Sequence, residues 1–220
     1  MLSLLSLLLI ILGILALYTF IVKKANQQKR DFEAKLTGGE GEQIILNELA
    51  KLSDIGKPFN NLYITFNNGS TTEIDVLFVT FKGIYLIESK NYSGKVVCNN
   101  IEDTNWQVIY GNGKSYRLYN PLLQNKTHIN GLKHAIGLSD NSIIPLVVFG
   151  RNADIESIRH NGIIKVDELV NFIVNDYKTR DTIFTQSDIE YLLNSMKSLQ
   201  NANMFKRYSH IRQVKQKQRR

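Results

Sequence analysis

Cysteine is almost absent from this chain of 220 residues, which contains only Cys98. A single cysteine can form no intramolecular disulfide and no zinc site of the usual cysteine type, and it fits a reducing compartment. P-loop and dinucleotide-binding glycine patterns are also missing, so nucleotide-driven chemistry has no support. With 43% hydrophobic and 21% charged residues, the composition is that of a globular protein and excludes a collagenous or wholly disordered chain.

Acidic residues are missing from the last fifteen positions, residues 206–220, which hold seven of the 27 lysines and arginines. Subtracting those seven leaves 20 basic against 20 acidic residues, so the formal charge of +7 belongs to a tail and the body is neutral. A nucleic-acid-binding coat over the whole chain is therefore not indicated. We expect the basic tail, residues 204–220, to bind either nucleic acid or anionic lipid.

Charge is also missing from the first 22 residues, which are almost entirely apolar. A helix of 22 residues is about 33 Å long, which matches a hydrocarbon core of roughly 30 Å. A cleaved signal peptide, the alternative, would need a basic start and small residues at its end, and neither is present. Because lysines follow at positions 23 and 24, the positive-inside rule predicts a single-pass anchor in the cell membrane, with the rest of the chain in the cytoplasm.

After a basic and polar linker over residues 23–36, hydrophobic periodicity predicts helices and strands in alternation. We expect helices over 39–52 and 120–137, two further helices ending near 177 and 199, and strands over 61–66, 73–80, 83–90, 95–98, 106–110, 115–118, 143–149 and 163–166. Residues 56–58, which include Pro58, are expected to end the first helix before the first strand. This order predicts an α/β or α+β domain with a mixed sheet over residues 37–178 and a C-terminal helix over 179–203.

Two carboxylates stand out because each lies inside an apolar strand. Asp75 and Glu88 would be costly to bury without partners, and Lys90 lies on the same face of the strand as Glu88. A tight hairpin between the two strands would bring Asp75 close to this pair. Such a group could bind a hard divalent cation, with the ammonium orienting a water or stabilising charge on a phosphate. Spacing alone leaves open a structural alternative, in which Glu88 and Lys90 form a salt bridge at a sheet edge and Asp75 caps a turn.

The order Asp75, then Glu88-Ser89-Lys90, has the form D-x(n)-E-x-K and resembles the PD-(D/E)XK nuclease superfamily. More narrowly, the chain is similar to the nuclease-related domain family, known as NERD. Each matching stretch is weak alone, but the set in this order is specific. The stretches are Gly41-Glu42, Glu73–Val76, Lys82–Gly94, Trp106 and Asn120–His128.

This resemblance implies a restriction-endonuclease-like core and a nuclease that hydrolyses phosphodiester bonds with Mg²⁺ or Mn²⁺. It implies that Asp75 and Glu88 bind the metal and that Lys90 is the catalytic lysine. Glu42 would be the acid that the first helix contributes to the site. Gln124 would touch the substrate or order the lysine.

Two positions depart from the family pattern, although neither removes a metal ligand. Glu73 stands where the family commonly has glutamine, and Val76 stands where a histidine often follows the aspartate. The intact group of two acids and a lysine favours activity over a decayed domain. The alternative is a non-catalytic, membrane-tethered adaptor that binds nucleic acid or protein.

Two histidines on the predicted helix over 120–137 are weaker candidates. His128 and His134 are six residues apart, a spacing that does not put them on one helix face. We therefore expect solvated or packing roles for them rather than a metal site. Trp106, between apolar neighbours, is expected to pack in the core.

Overall fold

The structure, a computed structural model, describes residues 12–13, 15–23 and 39–200. Residues 12–13 and 15–23 are helical. Among the described residues, no helix is both long enough and apolar enough to cross a membrane, so the predicted transmembrane helix over 1–22 gains no support. Most of that segment, the linker from residue 24 onward and the basic tail lie outside the described residues.

Residues 39–200 form a mixed α/β fold, as predicted. We number its helices and strands in chain order: α1 39–49, β1 Gly56–Thr65, β2 Thr71–Thr80, β3 Gly83–Lys90, β4 Gly94–Val97, β5 Asn105–Ile109, β6 Ser115–Tyr119, α2 Pro121–Ile136, β7 Ile143–Phe149, β8 Ala153–Asp154, β9 Ile163–Lys165, α3 Leu169–Thr179 and α4 186–200.

The strands form two sheets. The larger sheet has the order β1-β2-β3-β7-β9 and the smaller sheet the order β6-β5-β4-β8. In the larger sheet β1, β2 and β3 are antiparallel, whereas β7 and β9 run parallel to β3. Thr80 pairs with Gly83 across a two-residue turn, so the predicted tight hairpin is confirmed. β3, which carries the candidate catalytic residues, therefore lies at the centre of a mixed sheet.

Helices cover both faces of the larger sheet. On one face α1 and α3 pack against it through residues such as Leu49 and Ile173. On the other face α2 and α4 pack through Leu132 and Met196. A third cluster lies between the two sheets around Trp106, which is 1% exposed, so its predicted packing role is confirmed. Alternate residues of β3 face opposite helix layers, and this alternation determines which helix can reach each polar side chain at the strand's end.

The first strand begins earlier than predicted. The helix does end before Gly56, but β1 starts at Gly56 and includes Pro58, so the predicted start of the strand at residue 61 is wrong. β1 is an outer strand of its sheet, and an outer strand leaves one side of its backbone unpaired. Proline, which lacks an N–H, is tolerated in such a position.

Helix α2 begins and ends with residues that commonly cap helices. The Asn120 side chain accepts a hydrogen bond from the Leu122 N–H at 2.9 Å, and Pro121 occupies the first helical position. Gly137 ends the helix in the left-handed conformation, with φ of 70°. These caps determine the start of α2 beside the sheet, and its first two turns carry the side chains that reach the end of β3.

Candidate active site

The candidate active site lies at the carboxyl end of β3. Glu88 is 1% exposed there and its Oε1 lies 2.6 Å from the Lys90 Nζ. The Lys90 Nζ also donates to the Gln124 Oε1 at 3.1 Å. The structure therefore brings the predicted lysine, one predicted acid and the predicted glutamine of α2 together. The Glu88–Lys90 salt bridge of the structural alternative exists, but it lies on a central strand and not at a sheet edge.

Asp75 lies beside this group because of the register of β2 and β3. The two strands pair up to Val76 and Ile87, and one step further along this register Asp75 faces Glu88. Regular pairing ends at that point, and the Ser89 N–H donates instead to the Asp75 Oδ2 at 2.8 Å. Asp75 is therefore held by the backbone of β3 rather than in a turn.

The backbone of β2 is distorted next to Asp75. β1 and β2 pair on both sides of Asn61 and Asp75 but not at these two residues, and Asn61 has a φ of 54°. Ile74 packs on the α2 side of the sheet and Val76 on the α1 side, although residues two apart in a regular strand share a face. Local distortions of this kind re-aim side chains and are common beside active sites.

Helix α1 brings the fifth predicted residue, Glu42, toward the others. A Cβ on Gly41 would lie 2.8 Å from the Asn91 Cβ and 2.9 Å from the Ser89 Oγ. Glycine at this position therefore allows the start of α1 to approach the end of β3 closely. Glu42, the next residue, is near enough to Asp75 to affect its titration.

Burial and like charges shape the electrostatics of the site. Burial and the Glu88 carboxylate raise the pKa of Asp75 well above its usual range, and Glu42 adds to this, against the opposing effects of the Ser89 N–H and Lys90. For Lys90, burial lowers the pKa, but the Glu88 and Asp75 carboxylates outweigh burial, so its pKa is raised. Lys90 therefore stays a cation among crowded acids at neutral pH.

His128 is the site residue that the sequence analysis missed. It is 4% exposed, its Nε2 lies 2.9 Å from the Glu88 Oε2, and its Nδ1 lies 2.6 Å from the Thr72 Oγ1. Because an ionised carboxylate can only accept hydrogen bonds, the Nε2 carries the proton. His128 is therefore buried and hydrogen-bonded rather than solvated, whereas His134 is exposed, as its predicted solvated role requires. The available signal was the four-residue spacing from Gln124, which places both side chains on one side of α2.

Asp75 and Glu88 are the two carboxylates of the site that could hold a cation. Within residues 39–200, no group of three or more His, Cys, Asp or Glu side chains is arranged as a metal site. Mg²⁺ commonly takes one or two carboxylates and keeps several waters, so two are sufficient. Burial first, and then the Glu88 carboxylate, raise the pKa of Asp75, and a bound cation would favour its ionised form. The residues present therefore fit Mg²⁺ or Mn²⁺.

Comparison with known proteins agrees with this geometry. Residues 37–150 match the family model of the nuclease-related domain. A curated Bacillus anthracis protein, itself described as uncharacterized, is 28% identical over 103 residues, which are 46% of this chain and 48% of that protein. The matched region thus spans about half the length of this relative. No solved structure shows a significant match.

The family match covers 114 of the 220 residues, from 37 through 150, and includes the whole cluster around Glu88. The chain therefore belongs to the nuclease-related domain family.

Proposed function

We propose that this protein is a metal-dependent nuclease that hydrolyses phosphodiester bonds of nucleic acid. The proposal rests on the side chains that come together at the end of β3. Lys90 is held there between Glu88 and Gln124, and Asp75 accepts a hydrogen bond from the Ser89 N–H. Three separate elements, β2, β3 and α2, contribute these groups. Membership of the nuclease-related family supports the same chemistry.

Each side chain of the cluster has a distinct proposed role. Asp75 and Glu88 would hold Mg²⁺ or Mn²⁺, which when bound polarises the scissile phosphate and activates a water. Lys90 would stabilise the negative charge that develops on the phosphate oxygens. Gln124 holds the ammonium through its amide oxygen, which leaves its amide NH₂ free to donate to a phosphate oxygen. Glu42, near Asp75, would orient a water for attack.

A cleavage assay tests the proposal directly. The purified full-length chain, in mild detergent because of its apolar N-terminus, is incubated with labelled DNA and RNA, single and double stranded. We expect cleavage with Mg²⁺ or Mn²⁺, none in EDTA, and none by Asp75→Asn. Glu190→Gln, at an exposed position on α4, is the matched control and should cleave like wild type. Absence of cleavage by wild type would favour the non-catalytic adaptor instead. Equal cleavage by Asp75→Asn would show that this cluster is not the source of the cleavage.

Thr72 and His128 provide a second prediction, because they position Glu88 without touching substrate. Thr72→Val keeps the side-chain volume but removes the hydroxyl that holds the His128 Nδ1 at 2.6 Å. We expect it to weaken Mn²⁺ binding by about tenfold, as loss of a group that orients a metal ligand typically does. Thr72→Ser keeps the hydroxyl and should bind Mn²⁺ like wild type.

Calorimetric titration of Mn²⁺ into the metal-free protein measures this effect without relying on activity. Thermal melting of both variants provides the control, because a purely structural hydroxyl would lower the melting temperature and leave the dissociation constant unchanged. If Thr72→Val bound Mn²⁺ within twofold of wild type, the positioning role would be wrong.

We also propose, from the sequence alone, that residues 1–22 anchor the chain in the cell membrane with the nuclease domain in the cytoplasm. The basic tail, residues 204–220, would then meet nucleic acid or anionic lipid near the membrane. The full-length protein should remain with the membrane fraction after washing at high pH. A variant lacking residues 2–22 should be released into the supernatant. Release of the full-length protein by the same wash would contradict the anchor.

A further inference from the structure

A line of tyrosines leads from the candidate active site along the smaller sheet. Tyr92 lies two residues after Lys90 and is near enough to contribute to the raised pKa of Lys90. Tyr92 and Tyr110 both pack against the third core cluster. The Tyr110 and Tyr116 rings meet edge to face, with centroids 5.3 Å apart and planes at 86°. Tyr116 is 44% exposed. These three residues, Tyr92, Tyr110 and Tyr116, are called the tyrosine path, and they run from the neighbourhood of Lys90 to an exposed ring.

The segment that carries Tyr110 and Tyr116 contains no acidic residue. From position 104 to position 139, a stretch of 36 residues has no Asp or Glu and four basic residues, Lys114, Arg117, Lys126 and Lys133. It forms β5, β6 and α2 and also carries Gln124. Because the body of the chain has balanced charges, this segment is a local excess of positive charge beside the site.

The exposed end of the path lies within this positive charge. Lys114 and Arg117 flank Tyr116 in the sequence, and both side chains are exposed. Tyr116 pairs with Val108 across β5 and β6, and Arg117 pairs with Gln107. Tyr116 and Arg117 are successive residues of β6 and face opposite sides of the smaller sheet, so the ring and the cations come together along this outer strand. An exposed aromatic ring and cations along one sheet edge suit a ligand with flat bases and a phosphate backbone.

We infer that the tyrosine path binds a single-stranded nucleic acid and directs it toward Lys90. The inference rests on the proposed nuclease function and specifies its substrate. Bases of a single strand stack on aromatic rings whatever their sequence, while lysine and arginine contact the phosphates. The bases of a duplex are stacked on one another, so a duplex cannot offer their faces to Tyr116. Single-stranded substrates should therefore be preferred.

Binding measured in EDTA separates this inference from catalysis. Labelled single-stranded DNA, single-stranded RNA and the matched duplexes are titrated with the full-length chain and followed by fluorescence anisotropy. Tyr116→Ala should weaken binding of single strands about 5- to 100-fold, the effect typical of one stacked base. Tyr116→Phe keeps the ring and should bind within about threefold of wild type. Tyr191→Ala, at a 57% exposed tyrosine of α4, is the matched control and should have no effect.

A second variant tests the charge component and does not depend on Tyr116. Replacing Lys114 and Arg117 together by glutamine should lower the slope of log K against log salt by about 1.4, since each phosphate contact on a single strand contributes about 0.7. Both positions are exposed, so the core should be undisturbed. An unchanged slope would overturn the assignment of these residues to phosphate contacts.

The outcomes distinguish the inference from the proposed function. Tyr116-dependent binding of single strands without metal-dependent cleavage would support the path and reject the nuclease. Metal-dependent cleavage with equal binding by wild type and Tyr116→Ala would keep the nuclease and overturn the path. Tighter binding of duplexes than of single strands, or no binding of either, would also overturn it.

Discussion

Asp75→Asn is expected to abolish metal-dependent cleavage and, in the absence of metal, to raise the melting temperature. Burial and the neighbouring Glu88 raise the pKa of Asp75, so its ionised form is disfavoured in the folded state. Asparagine removes this charge but keeps an oxygen that can accept from the Ser89 N–H, now bonded at 2.8 Å. We expect a rise of about 2–4 °C, which corresponds to ~1 kcal/mol for a domain of this size.

Cleavage should fall by about 10³-fold or more in the same variant, since a neutral amide is a poor ligand for a hard cation. A carboxyl group whose pKa is raised on folding lowers stability at neutral pH, and this loss disappears as the pH falls through the raised pKa. The difference in melting temperature between variant and wild type should therefore shrink in acid.

Thermal melting in EDTA at several pH values, together with the cleavage assay, measures both effects. Asp54→Asn, which alters an exposed aspartate, is the control and should change neither melting nor cleavage. If Asp75→Asn melted below wild type in EDTA at neutral pH, the cost of ionising the buried Asp75 beside Glu88 would not be the dominant effect.

Glu88→Ala should have the opposite effect on stability, although Glu88 and Asp75 have the same proposed role as metal ligands. Glu88 accepts from the Lys90 Nζ at 2.6 Å and from the His128 Nε2 at 2.9 Å. Its removal leaves a nearly buried ammonium without its carboxylate. Breaking a buried ion pair by removing one partner costs about 3–5 kcal/mol, which is equivalent to a fall in melting temperature of roughly 10 °C.

A double-mutant cycle identifies the source of this loss. Lys90→Met in the Glu88→Ala background removes the unpaired ammonium and should recover part of the stability, because the two residues are in direct contact. Glu88→Gln keeps an acceptor oxygen and should lose less than Glu88→Ala. Denaturant unfolding in EDTA provides the free energies. Equal stabilities of Glu88→Ala and wild type would show that the carboxylate does not hold this network together.

Periodicity and turn signals predicted most of the elements because these signals are local. The hairpin of β2 and β3 followed from the two residues between the strands. The period of two along β3 correctly placed Glu88 and Lys90 on one face. The caps of α2 were recognisable because asparagine, proline and glycine have specific backbone preferences at helix ends. The start of β1 was predicted at residue 61 instead of 56 because tolerance of proline at position 58 depends on which strand lies at the sheet edge, a property of the whole sheet.

The partners of the site residues could not be predicted in the same way. His128 bonds to Glu88, 40 positions away, and to Thr72, 56 positions away. These contacts depend on how α2 crosses the sheet, which no local pattern in the sequence specifies. Likewise, Asp75 meets the Ser89 N–H where pairing of β2 and β3 ends, beside a backbone distortion at Asn61.

By itself, the sequence determined the mixed α/β class, the family resemblance and the identity of the acids and lysine at the end of β3. These features depend on residue type and short spacing, which a chain carries before it folds. Only the tertiary structure decided that Lys90 is held between Glu88 and Gln124, that His128 orients Glu88, and that tyrosines lead away from the site. Burial and contacts between distant segments produce these features, and both exist only after the helices have packed on the sheet.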